Sequence, residues 1–216
     1  MRTAHRVAAC TALAFGVIAL LVATTWSPLM DLDSDVVRRG TNLARNHDTY
    51  RHVMKAATWW LNSPLVMAYG GLIAMGLALA RRSAAAIWLA LVVGIGSLVN
   101  PVLKQLFQRD RPNVLDPVAV FHNPSFPSGH ANSAALICAA GVIVFWPHLG
   151  GVGRVATTVL VVAVPVLVCW TRITLGAHYL SDVVGGTLLG VTLAAACQPA
   201  LPALERRLSA RAARPR

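Results

Sequence analysis

Eight residues in three short clusters are of types suited to handling a phosphate group. Lys104 and Arg111 stand seven positions apart, ahead of Pro112. Ser128, Gly129 and His130 follow Pro127, and Arg172, His178 and Asp182 are spaced six and then four apart. The cations number three, two of them guanidinium forks whose paired N–H donors match phosphate oxygens. Ser128 is a residue type favoured at a helix N-cap. The amides of Gly129 and His130 would then be open donors of a helix N-terminus, an anion site that glycine lets a ligand approach closely. At i and i+4, His178 and Asp182 are expected on one face of a helix. There the carboxylate holds the proton of one ring nitrogen and leaves the other nitrogen aimed at an electrophile. His130 is available to protonate a departing alkoxide. An anion cradle, an oriented nucleophile and a proton donor are together the parts of a phosphoryl-transfer site.

These clusters interrupt a chain that is otherwise apolar. Of its 216 residues, 56% are hydrophobic and 12% charged, about half the charged share of a soluble protein. The apolar residues fall in six blocks: Val7–Thr25, Trp59–Ala80, Ala84–Leu103, His130–Trp146, Val155–Trp170 and His178–Cys197. Most are near the ~20 residues that a helix needs to cross the hydrocarbon layer, and the fourth to sixth, which are shorter, are expected to extend into their polar flanks or tilt. The sequence therefore predicts an all-α polytopic membrane protein with six transmembrane helices in one bundle. It reads as a single domain over 1–216, with a motif-bearing core at about 84–197 and a basic tail at 203–216. In an up-and-down bundle the three clusters sit at ends of the third to sixth spans that share one face of the membrane, so stretches far apart in sequence meet in space. The first block is expected to be a retained anchor, because no small-residue cleavage site precedes Trp26. The loop Trp26–Thr58 is expected to hold a short interfacial helix.

The net charge of +11 raises nucleic acid as a partner, and its distribution argues against one. Ten of the 19 Lys/Arg lie on the side of the termini, with Glu205 as the sole acid there. The other side has nine bases, three of them in the clusters, and seven acids. By the positive-inside rule the termini are expected to be cytoplasmic and the clusters extracytoplasmic, and the membrane expected is a bacterial plasma membrane. The basic tail lacks interleaved aromatics and follows directly on a span, which suits topology or anionic lipid better than nucleic acid. Cys10, Cys138, Cys169 and Cys197 lie in apolar blocks and match no metal motif. His122 and Asp110 are read as solvated loop residues, and His47, His52 and His148 as interfacial. Gly150-Gly151-x-Gly153 follows no strand, so it is not read as a nucleotide loop.

The three clusters resemble the signatures of the type 2 phosphatidic acid phosphatase and vanadium haloperoxidase superfamily: K-x6-RP, PSGH and SR-x5-H-x3-D. Here they read KQLFQRDRP (Lys104 to Pro112), PSGH (Pro127 to His130) and TRITLGAHYLSD (Thr171 to Asp182), with Thr171 replacing the usual serine. The resemblance implies His178 as nucleophile, Asp182 as its partner and His130 as general acid. It implies phosphate binding by Lys104, Arg111, Ser128, Gly129 and Arg172, with no metal or cofactor. The expected activity is hydrolysis of a membrane lipid phosphate or diphosphate through a phosphohistidine. Candidate substrates are a polyprenyl diphosphate such as undecaprenyl diphosphate, phosphatidylglycerol phosphate and phosphatidic acid. The alternatives are a phosphotransferase, a phosphatase of soluble phosphates, or a non-catalytic lipid-phosphate binder or transporter.

Overall fold

The computed structural model describes residues 2–114 and 123–212. His122 and Asp116, and Arg214 and Arg216 of the tail, lie outside the described residues. Among the described residues all regular structure is helical: α1 Arg2–Ala23, α2 Ser27–Asn46, α3 Asp48–Trp60, α4 Ser63–Leu79, α5 Ser83–Phe107, α6 Gly129–Phe145, α7 Gly151–Thr174, α8 Leu180–Cys197 and α9 Ala200–Ala212, with a 3₁₀ turn at Trp146–His148.

Five helical stretches are long and apolar enough to cross a membrane, and α3 with α4, bent by 44° at their junction, would make a sixth. Leu98, Val102 and Leu106 on α5 and Val155, Val159 and Val166 on α7 point outward and are well exposed. In water such stripes would be strongly unfavourable, and in a bilayer they face lipid. The chain is an integral membrane protein. The second expected block divides differently from its sequence reading. Trp59 and Trp60 close α3, and α4 begins at Ser63 under an Asn62 cap, whose side chain accepts from Leu65 N at 2.9 Å. The expected loop at Trp26–Thr58 is two helices rather than one short one. α2 is amphipathic and buries Asp33, Val37, Gly40 and Ala44, spaced three to four apart on one face.

Alternation of the spans is visible at both ends of the bundle. At one end Arg82, at the start of α5, donates to His148 at 2.6 Å, and Trp88 Nε1 donates to Cys197 O at 2.7 Å. α9 folds back there, placing Leu201 and Leu204 against the Trp88–Leu136–Val144 core. At the other end the start of α4 meets the start of α6, for Ser63 and Asn100 lie beside Gly129.

The tightest crossing is α6 against α8. A Cβ on Gly186 would stand 2.4 Å from Ser128 O, and one on Gly190 would stand 2.4 Å from Asn132 O. Only glycine lets the two backbones come this close, the small-residue packing that joins helices in lipid. Gly190→Ala is expected to cost about 1–3 kcal/mol through overpacking, seen as a fall of roughly 5 °C in the unfolding midpoint in detergent. Gly71→Ala, where nothing lies within 4 Å of the added carbon, is the control and should not lower the midpoint.

Candidate active site

The third cluster begins in the last turn of α7. Arg172 O accepts from both Ala177 N at 2.9 Å and His178 N at 3.2 Å, which folds the turn carrying His178 back onto Arg172. Gly176 sits in this turn with φ +66°, a left-handed conformation that favours glycine. α8 starts only at Leu180, so His178 precedes the helix instead of sharing a helical face with Asp182. The pair meets through a cap. Asp182, in the first turn of α8, reaches back to accept from Tyr179 N at 2.9 Å, and the same oxygen lies 3.3 Å from His178 Nδ1. Lys104 likewise falls inside the last turn of α5, which runs past the expected boundary to Phe107, while Arg111 lies beyond it.

The donor and acceptor roles follow from the neighbours. Asp182 Oδ2 can only accept, so Nδ1 of His178 carries the proton. Arg111 can only donate, and its terminal nitrogen lies 3.3 Å from Nε2, so Nε2 presents its lone pair. Ser125 donates its hydroxyl to Asp182 Oδ2 and stands 3.4 Å from Nδ1. His178 and Asp182 are almost fully buried. Burial pushes the His178 imidazole below its ordinary value; Asp182 opposes this, while the Arg172 and Arg111 cations reinforce it. The ring is therefore held neutral.

The three clusters converge on a cavity of about 510 Å³ lined by Lys104, Arg111, Gly129, His130, Arg172 and His178. Lys104 Nζ donates to the carbonyls of Pro124 and Ser125, the latter at 3.1 Å. Arg111 donates to Ala177 O at 2.6 Å and, through a second terminal nitrogen, to Asn123 Oδ1 at 2.6 Å. Ser128 lies behind this wall. Its amide donates to Asp182 O at 2.9 Å, tying the second cluster to the third. Ser128 occupies the N-cap position of α6, but its hydroxyl makes no capping bond and, among the described residues, has no partner although it is buried.

Several residues that the motifs do not mark complete the centre. Arg109 donates from one terminal nitrogen to Asp182 Oδ1 at 2.7 Å and to the Ser181 hydroxyl at 2.6 Å, and from the other to Asp33 Oδ2 at 2.7 Å. Its ring neighbour is Tyr179, 4.3 Å from the guanidinium carbon. Burial opposes the Arg109 charge, and Asp182 and Asp33 more than offset it, so its proton is held more tightly than usual. Arg109 occupies an unspecified position within K-x6-RP, and Ser125 stands three residues ahead of Ser128, so proximity to the motifs was the available signal. Asp33 offered none beyond being one of three acids in α2. Asp110, His47, His52 and His148 are exposed. The four cysteines are free thiols.

Comparison with known proteins gives a family and a fold. The family model described as PAP2 superfamily matches residues 85–205. Phosphatidylglycerophosphatase B of Bacillus subtilis (strain 168) is 35% identical over 134 residues; the match covers 60% of this chain and 63% of that protein's length. The crystal structure of a transmembrane PAP2-type phosphatidylglycerolphosphate phosphatase from Bacillus subtilis has the same fold. Its TM-score is 0.73 at 23% identity, over 91% of this chain and 96% of that one.

A neutral buried imidazole has a measurable cost in acid. Because its folded pKa lies below the unfolded value of about 6.5, the unfolded chain binds the extra proton first as pH falls below that value. Stability present above it is lost progressively on acidification. Between pH 7.5 and 5 the unfolding midpoint should fall further in the wild type than in His178→Asn, by on the order of 5 °C. Parallel falls would show that His178 titrates normally.

Proposed function

The chain belongs to the PAP2 superfamily, and from that premise we propose that it hydrolyses a lipid phosphate at His178. The observation that carries the reading is the fixed tautomer: Nδ1–H faces Asp182, and Nε2 turns its lone pair toward a cavity ringed by three cations. A binder or transporter needs the cations but has no use for an imidazole so oriented.

In the proposed reaction the phosphate sits among Lys104, Arg111, Arg172 and the amides of Gly129 and His130, with Ser128 behind them. Arg111 shifts from Nε2 to the phosphate oxygens. Nε2 attacks phosphorus, the N–P bond forms as the P–O bond to the alcohol breaks, and His130 gives its proton to the leaving oxygen. Asp182 stabilises the cationic ring. Water then attacks the phosphohistidine, passing a proton to His130 as the N–P bond breaks and phosphate is released. The bases of the cradle neutralise the charge that builds on the three equatorial oxygens, so the route draws on no metal.

The substrate reading rests on the rest of the cavity wall. Besides the cations it includes Pro64, Met67, Gly96 and Pro101 of α4 and α5. Gly96 is eight residues, or about 12 Å, further into the span than Lys104. A cavity that joins phosphate-binding groups to apolar surface at that depth suits an amphiphile better than a soluble phosphate. Phosphatidylglycerol phosphate is the first candidate, since the relatives above are named for it; phosphatidic acid and polyprenyl diphosphates follow.

Quenching turnover in the purified protein is expected to leave acid-labile phosphate on His178. His178→Ala should lose on the order of a thousandfold or more in rate. Near-normal hydrolysis by that variant would overturn the mechanism.

We also propose that the site faces away from the cytoplasm, on the strength of the Arg81–Arg82 turn and the arginines of α9 at the opposite end of the bundle. Asn113 and Ser209 are both exposed, at opposite ends. With the natural cysteines replaced, a single cysteine at position 113 should react with an impermeant thiol reagent on intact cells, and one at 209 should be protected. The reverse pattern would put the site in the cytoplasm.

A further inference from the structure

Asp33 belongs to the surface helix α2, outside the stretch that the family model matches, yet it is fully buried against the site. Its Oδ1 accepts from Ser181 N at 2.8 Å. Its Oδ2 accepts from the Ser181 hydroxyl at 2.5 Å and from Arg109 at 2.7 Å. Arg109 in turn holds Asp182 Oδ1 at 2.7 Å. One guanidinium thus spans two buried carboxylates, and the second of them orients His178. Burying a carboxylate carries a large desolvation penalty, and an apolar side chain would fasten α2 to α8 without it. The acid at position 33 therefore calls for a role that uses its charge.

We propose that Asp33 is a positioning residue for the reaction at His178: by sharing Arg109 it keeps Asp182 a strong acceptor aimed at Nδ1. This rests on His178 being the nucleophile. Were Arg109 paired with Asp182 alone, cation and carboxylate would cancel, and Asp182 would pull weakly on Nδ1–H when the ring becomes cationic on taking the phosphoryl group. With Asp33 present the three groups carry a net single negative charge, and the oxygen facing His178 retains its share of it. In a buried setting this difference is felt strongly. Asp33 also fixes the first turn of α8 through both bonds to Ser181, which sets the direction in which Asp182 points.

The test uses the full chain in detergent with the lipid phosphate that the wild type turns over fastest. Asp33→Asn keeps the shape and removes the charge. It is expected to lower kcat, per folded protein, by about 10- to 100-fold, the range found when groups supporting a reactive shell are lost, with KM within about twofold. Placed on an Asp182→Asn background, the same change should cost nothing further, because its effect passes through that carboxylate. Asp33→Glu, which keeps the charge, should retain more kcat than the asparagine variant, and it is compared at equal amounts of folded protein should the latter fold poorly. Full kcat in Asp33→Asn, an equal loss with and without the Asp182 carboxylate, or equal losses in the asparagine and glutamate variants would overturn the proposal. A wild type that forms no acid-labile phosphate would overturn the His178 reading and this proposal with it. A labelled wild type beside an unaffected Asp33→Asn would overturn this proposal alone.

Discussion

The backbone approach of α6 to α8 is the constraint on which the centre depends. With Gly186 and Gly190 facing Ser128 O and Asn132 O, the start of α6 lies directly against the first turns of α8. At that distance the Ser128 amide can donate to Asp182 O. Phe126 packs on Gly185 in the same way, its ring where a Cβ would be. The glycines therefore act on chemistry indirectly. They bring the N-terminal end of one helix to the capping carboxylate of another, and a single methyl group in the interface would separate them.

Charge balance is the second constraint. An apolar bundle that gathers Lys104, Arg109, Arg111 and Arg172 at one end needs compensating acceptors, since unpaired buried charge is strongly unfavourable. Asp33 and Asp182 take up Arg109, while Lys104 and Arg111 are held by main-chain carbonyls at Pro124, Ser125, Ala177 and Asn123. Carbonyls stabilise a cation without cancelling its charge. Arg109, by contrast, is matched by two carboxylates and serves the frame.

Much of this was legible in the sequence because the chemistry imposes residue types at short spacings. Lys104, Arg111, His130, Arg172 and His178 stand out as polar residues in apolar surroundings, and alternation of the spans was enough to bring them to one cavity. The reading went astray where local geometry replaced regular periodicity. Spacing of four suggested a helical face for His178 and Asp182, but the carboxylate caps its own helix and His178 stays in the turn before it. Ser128 has the composition of a capping residue and leaves its hydroxyl uncapped. Asp33 was illegible for a different reason. A carboxylate among other carboxylates in an amphipathic segment looks solvated, and only the packing of α2 onto α7 and α8 buries it. The break at Leu61–Asn62 was likewise hidden, because Trp59 and Trp60 read as the start of a span when they end the helix before it.

The pinning of α2 by residues far downstream has a bearing on how the chain is assembled. Synthesis runs from the N-terminus, so Asp33 is made 76 residues ahead of Arg109 and 148 ahead of Ser181. Until those partners emerge, α2 has neither its counter-charge nor its hydrogen-bond donors. Its carboxylate must wait at the water-facing surface, since burial alone would be unfavourable. The helix can dock only after α8 has been inserted. The pocket is thus completed by a segment made well before α8, and a chain arrested before α8 holds the acid but not the pocket that receives it.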